Sequence, residues 1–180
     1  MVNNIVILNF SGRNGGNCGE IGRFIGQFHE NTNIYSHNVG ECWSPCGGCD
    51  YECLKQGVHC PVLTEEQRKV MDAIINADIV YYVVPNYCGF PSANFYAFNE
   101  RSVGYFNLDR ELTSRYRNVR KKFIIVSNSE NPAFLQAMQQ QAKEPEILYL
   151  KTSAYQKKSI AGDLITSEKA QNDLRAFLRL

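Results

Sequence analysis

A chain of 180 residues with 44% hydrophobic side chains can bury a substantial core without disulfide staples, and one domain spanning 1–180 is the expectation. Nineteen basic against eighteen acidic residues leave a formal charge of +1, so no overall field draws nucleic acid or an anionic membrane. Small-molecule chemistry is the expected business of such a chain.

Residues 1–10 have neither a basic n-region nor a long apolar h-region, and their apolar run is too short to cross a bilayer. They read as the buried first strand of a cytoplasmic protein, over 5–10. A Gly/Asn-rich turn leads to a helix over 17–30, in which Ile21, Phe24, Ile25 and Phe28 recur at spacings of three and four and so share one face. A weaker strand follows over 33–39, then a cysteine-rich loop over about 41–61. Thr64 three residues before Gln67 has the form of a capping box, opening a helix with the apolar stripe Val70, Met71, Ile74 and Ile75 that ends near Asn76.

The run 79–84 is continuously apolar, β-branched and aromatic, as a central parallel strand covered on both faces should be, and it is expected to stop at Pro85. A third helix is expected over 92–103. The polar stretch carrying Arg110, Arg115, Arg117, Arg120, Lys121 and Lys122 reads as a solvated connection to a strand over 123–127. A helix over 133–143 with Pro132 in its first turn, a strand over 147–150 and a closing helix over 167–180 complete the chain. Strict strand–helix alternation requires right-handed crossovers and a parallel sheet with helices on both faces. The expected fold is therefore α/β, a three-layer α/β/α flavodoxin-like arrangement with a five-stranded parallel sheet in the order 2-1-3-4-5. Ligands in such sheets bind at the carboxyl ends of the strands, where the winding reverses, here the tips of strands one and three.

The segment after strand one, Ser11-Gly12-Arg13-Asn14-Gly15-Gly16-Asn17-Cys18, has the parts of a phosphate cradle. Its glycines allow positive φ and close backbone approach, Ser11 and Asn17 can donate hydrogen bonds, Arg13 can neutralise charge, and a helix N-terminus follows. The glycine spacing is not G-x-G-x-x-G, no Walker Lys-Ser/Thr follows, and strand two ends without an acidic residue for an adenine ribose. A mononucleotide phosphate fits better than a dinucleotide or a nucleoside triphosphate.

This loop resembles that of the flavodoxin-like NADPH-dependent FMN reductases, including the iron–sulfur flavoproteins, whose motif runs roughly Ser-x-Arg-x-x-Gly-Asn-Thr/Ser. Ser11, Arg13, Gly16 and Asn17 match in register, with Cys18 where a hydroxyl residue is usual. The resemblance continues in Pro85-Asn86-Tyr87-Cys88-Gly89-Phe90-Pro91 after strand three, where the family packs a Pro-x-Tyr loop against the isoalloxazine ring, and in Ser127-Asn128-Ser129-Glu130-Asn131 after strand four. It implies that Ser11, Arg13, Gly15, Gly16, Asn17 and Cys18 bind the phosphate of FMN. It also implies that Pro85, Asn86, Tyr87, Cys88 and Gly89 bind the ring, and that Ser127 and Asn128 close the third side. The implied activity is an FMN-dependent oxidoreductase that passes electrons from NADPH or NADH to a small-molecule or protein acceptor, in a homodimer or homotetramer. The alternative it leaves is a non-catalytic electron carrier or redox sensor serving a protein partner.

Of seven cysteines, four fall within fifteen residues: Cys46, Cys49, Cys53 and Cys60. They lie where the iron–sulfur flavoproteins carry a compact cysteine motif, although the middle gap is three residues rather than two. Four thiolates at this spacing admit a [4Fe–4S] cluster, a tetrahedral zinc, or free or redox-active thiols, with His59 and Cys42 as further ligands. Cys18, at a helix N-terminus beside Arg13, reads as a small residue accommodating the phosphate, with a reactive low-pKa thiol as the other option. No Ser/His/Asp order or carboxylate pair points to hydrolysis.

Overall fold

A computed structural model describes residues 3–13, 15–41, 43–55, 57–128, 132–158 and 161–179. Strand β1 (Asn4–Asn9) leads through the glycine-rich loop into α1 (Asn17–Phe28), and β2 (Asn33–Asn38) follows. After the cysteine-rich loop come α2 (Glu65–Ile75), β3 (Ile79–Tyr87), β4 (Phe90–Pro91) and α3 (Ala93–Phe106). The chain then forms α4 (Arg110–Asn118), β5 (Arg120–Ser127), α5 (Pro132–Gln141), β6 (Glu146–Lys151) and α6 (Glu168–Leu178).

The parallel strands run β2-β1-β3-β5-β6, and β4 is a two-residue antiparallel partner of β3. With β4 set aside, this is the expected order 2-1-3-4-5 of a flavodoxin-like sheet. Alternation along the strands divides the core in two. Val6, Leu8, Val80, Tyr82, Val84, Phe123 and Ile125 face one cluster with Val70, Met71, Ile74, Phe95, Phe98, Phe134 and Met138. Ile5, Ile7, Ile79, Tyr81, Val83, Ile124 and Val126 face the other, against Ile21, Ile25, Leu174 and Leu178. Helices α1 and α6 thus cover one face, and α2, α3 and α5 the opposite one. The capping box forms: Thr64 Oγ1 accepts from the Gln67 amide at 3.2 Å and Gln67 Oε1 from the Thr64 amide at 3.1 Å.

Two expectations need correction. Pro85 does not stop β3, which stays in register with β5 through Pro85 and continues to Tyr87 by pairing with β4. The Val83 carbonyl accepts from the Phe10 amide, so Pro85, two residues on, turns its missing donor to that same side, where β1 has ended at Asn9. The prolyl ring therefore costs no ladder bond. Beyond it, Tyr87 pairs with Phe90 around a tight turn, with Cys88 at φ 53° and Gly89 at φ 90°, the positive values of a type I′ hairpin.

The second correction is that the basic stretch is a helix and the start of a strand, with Arg110, Arg115, Arg117 and Arg120 exposed as expected but Lys121 and Lys122 buried. Asp109 caps α4 by accepting from the Leu112 amide at 2.9 Å, and the helix buries Tyr116. Strand β5 begins at Arg120, so Lys121 and Lys122 are inside it, and both are almost fully buried. Lys121 reaches back to the carbonyls of Tyr116 and Val119 and lies over the Tyr116 ring. Lys122 donates to the carbonyls of Phe177, at 2.5 Å, and Arg179, at 3.1 Å. Long stems fill the core while the ammonium groups find carbonyl oxygens at its margin. Among the described residues, no helix is long and apolar enough to cross a membrane.

Candidate functional site

The tips of β1, β3 and β5 converge on a cavity of about 190 Å³ lined by Ser11, Arg13, Gly16, Asn17, Cys18, Pro85, Asn86, Tyr87, Val126, Ser127 and Asn128. It lies at the carboxyl ends of adjacent parallel strands, beside the reversal of winding between β1 and β3. Larger hollows exist elsewhere, one of about 470 Å³ between α1 and β2 and one of about 490 Å³ at the opposite end of β5 and β6. Neither joins the three loops.

The glycine-rich loop holds its own shape. The Asn9 side chain accepts from the Ser11 amide at 2.9 Å, and Ser11 Oγ accepts from the Arg13 amide at 3.2 Å. Gly15 sits at φ 75°, in the left-handed region, where a side chain would be strained. Gly16 is the N-cap of α1 and has no side chain to offer, so no side-chain cap closes the helix, unlike α2, α4 and α6. A helix end of this kind presents backbone N–H groups and the positive end of its dipole, a good receptor for an anion. Arg13 is exposed at its rim. Asn14 lies outside the described residues.

Two neighbours fasten this loop. Ser92 Oγ and Asn94 Nδ2, at the start of α3, both donate to the Phe10 carbonyl, at 2.8 and 3.2 Å. On the other side, Asn17, 3% exposed, donates from Nδ2 to the Lys158 carbonyl at 3.0 Å and accepts at Oδ1 from the Leu164 amide at 3.0 Å. Gly162, at φ 72°, lies so close that a Cβ placed on it would stand 2.3 Å from the Gly15 carbonyl oxygen. The expectation that the Asn17 carboxamide serves the phosphate thus meets a side chain already bonded to residues near 160. Nothing local in the sequence marks Lys158, Gly162 or Leu164 as neighbours of a loop nearly 150 positions away.

Cys18 is 3% exposed, and burial pushes its thiol up to about 12. Burial of this kind disfavours the reactive low-pKa option for Cys18. It remains the small neutral residue of the other expectation.

In the second loop, Asn86 works in two directions. Its Nδ2 donates to Ser127 Oγ at 2.6 Å, and its Oδ1 accepts from the Gly89 amide at 2.8 Å. One carboxamide thereby joins the tips of β3 and β5 and holds the hairpin turn. Tyr87 and Phe90 are 43% and 55% exposed, so neither is a core residue. Cys88 and Gly89 form the hairpin tip outside the cavity lining. In the third loop, Asn128 Oδ1 accepts from Thr152 Oγ1. Ser129, Glu130 and Asn131 lie outside the described residues.

The cysteine-rich loop is anchored to α3. Arg101, 7% exposed, donates from Nε to the Ser44 carbonyl at 3.0 Å and from Nη2 to Ser44 Oγ at 3.1 Å and the Pro45 carbonyl at 2.9 Å. Glu100 Oε2 accepts from the Cys46 amide at 2.7 Å, and one turn on, Gly104 leaves room for Cys60, whose Sγ would be 2.8 Å from an added Cβ. Cys46 is exposed, Cys49 and Cys53 half-buried and Cys60 buried. Partial burial, with Cys60, Cys46 and Cys49 nearby, raises the Cys53 thiol above its usual range. Even so, among the described residues no group of three or more His, Cys, Asp or Glu side chains is arranged to hold a metal ion, and Cys42 lies outside them.

No protein-family model and no curated protein matches the sequence. Solved structures match its fold along nearly the whole chain. An NADH:FMN oxidoreductase in its apo form is 10% identical, with 98% of this chain and 88% of that one covered and a TM-score of 0.55. An azoreductase from Bacillus anthracis is 15% identical, with 98% and 95% covered and a TM-score of 0.58. FerB, a flavoenzyme NAD(P)H:(acceptor) oxidoreductase from Paracoccus denitrificans, is 12% identical, with 99% and 96% covered and a TM-score of 0.54. At such identities the likeness is one of fold.

Proposed function

We propose that this chain is an FMN-dependent oxidoreductase that takes electrons from NADPH or NADH and passes them to an acceptor. The observation that carries the reading is the convergence of an uncapped helix N-terminus, Arg13 and the β3 hairpin on one cavity at the switch point of the sheet. Of the similar structures described above, one is an NADH:FMN oxidoreductase and another a flavoenzyme NAD(P)H:(acceptor) oxidoreductase, which favours the same chemistry here.

The residues fit the cofactor in size and charge. About 190 Å³ is small beside the roughly 300–1,000 Å³ of a site that encloses a whole drug-sized ligand. It suits a phosphorylated tail, leaving a flat ring to lie toward the hairpin, where Tyr87 and Phe90 stand exposed. Ser11, Arg13, Gly15, Gly16 and the backbone of Asn17 and Cys18 would hold the phosphate. Pro85, Asn86, Tyr87, Cys88 and Gly89 would hold the ring, with Ser127 and Asn128 on the remaining side. A neutral Cys18 thiol places no negative charge beside the phosphate. Bound FMN supplies hydride and electron transfer, and the chain supplies position and electrostatics. Asn86, tied to both Ser127 and Gly89, fixes the hairpin backbone against which a ring would rest.

The test is an anaerobic titration of FMN-loaded protein with NADPH and with NADH, followed at the flavin absorbance band. Bleaching by either donor is expected. Bound flavin that photoreduces but is left oxidised by both nucleotides would replace the enzyme reading by that of an electron carrier.

A further inference from the structure

The Asn17 carboxamide gives its oxygen to the Leu164 amide and an N–H to the Lys158 carbonyl, both at 3.0 Å. Asn17 is the first residue of α1 and almost fully buried, so these bonds tie the post-β6 chain to the helix end that faces the cavity. Between the tied points, Gly162 stands at φ 72° against Gly15, itself at φ 75°. A single added carbon at Gly162 would stand 2.3 Å from the Gly15 carbonyl oxygen, a contact no real Cβ makes. That oxygen belongs to the peptide unit whose nitrogen is the amide of Gly16, the N-cap. The orientation of the Gly15–Gly16 peptide is therefore set from outside the loop, by backbone packed against it.

We infer that the chain around Gly162 is a fourth element of the anion site, and that Asn17 is a positioning residue that holds this element in place rather than a side-chain ligand of the phosphate. The inference deepens the FMN reading and rests on it. With Lys158 and Leu164 tied to Asn17, Gly162 presses on Gly15 and fixes the direction of the N–H groups that open α1. Preorganised donors bind an anion more tightly than donors that must first be ordered. With the tie cut, the loop is still present but its donors are no longer aimed.

The test compares the parent with Asn17→Ala and Gly162→Ala, each titrated with FMN and with riboflavin, which lacks the phosphate. Gly162 has no side chain, so its substitution cannot remove a side-chain contact to the ligand. Both variants are expected to lose about tenfold in FMN affinity, about 1.4 kcal/mol, while riboflavin affinity stays at the parent value. The double variant is expected to lose little more than either single one, because both act through one contact. Hydrogen exchange of the Leu164 amide in the flavin-free proteins is expected to speed up in Asn17→Ala. Parent-like FMN binding by Gly162→Ala, or equal losses of FMN and riboflavin, would overturn this inference and leave the flavin reading intact. A parent that binds neither flavin would overturn the FMN reading itself.

Discussion

Asn86 Nδ2 donates to Ser127 Oγ across 2.6 Å, joining the tips of β3 and β5 at the mouth of the cavity. The same side chain accepts from Gly89, so the hairpin and the third loop are one mechanical unit. Ser127→Ala removes one of these bonds and is expected to destabilise the protein by about 1 kcal/mol. Asn86→Ala removes both and is expected to cost about 2 kcal/mol. Chemical denaturation of the two variants checks the order. Equal, negligible losses would mean that the carboxamide does not hold the turn.

The Cys18 thiol gives a second expectation. With its pKa pushed up to about 12, the thiolate fraction at pH 8 is about one in ten thousand, and burial blocks access besides. Alkylation of the native protein with iodoacetamide at pH 8, read by peptide mass spectrometry, is expected to label the exposed Cys46 and Cys88 well before Cys18. Early labelling of Cys18 would contradict its burial.

Lys121 makes the stability of the fold depend on pH. Burial, with Arg117 nearby, lowers its ammonium pKa to about 7, while in the unfolded chain it stays near the ordinary lysine value. Between those values the unfolded state binds more protons, so this residue makes stability rise with pH across that window. Its unfavourable contribution is fully present below about pH 7 and fades toward pH 10. Lys121→Met keeps the volume and removes the charge, and is expected to stabilise by about 1–4 kcal/mol at pH 6.5. The gain should shrink as the pH is raised to about 9.5. A gain that is constant with pH would show that the carbonyls of Tyr116 and Val119 compensate the charge fully.

Much of this architecture could be read from residue patterns because it is fixed by local chemistry. The 79–84 run has only a doubly covered strand available to it, and Thr64 with Gln67 marks a helix start through bonds three residues apart. What escaped the sequence depends on distant partners. Pro85 reads as a strand end unless it is known that β1 has already stopped beside it. The basic run looks solvated because a lysine's stem and its charge are counted together, whereas Lys121 and Lys122 bury the first and pair the second with carbonyls. Asn17 reads as a phosphate ligand from its motif, and its bonds to Lys158 and Leu164 lie beyond the reach of that motif.

The most direct measurement is a flavin titration of the purified protein, read by absorbance and by quenching of flavin fluorescence, for the parent and for Arg13→Ala. The parent is expected to take up one FMN and turn yellow. Arg13→Ala is expected to bind it about ten- to a hundredfold more weakly, a charge-assisted hydrogen bond being worth about 1.5–3 kcal/mol. A colourless parent that takes up no FMN at any concentration would contradict the assignment of this site.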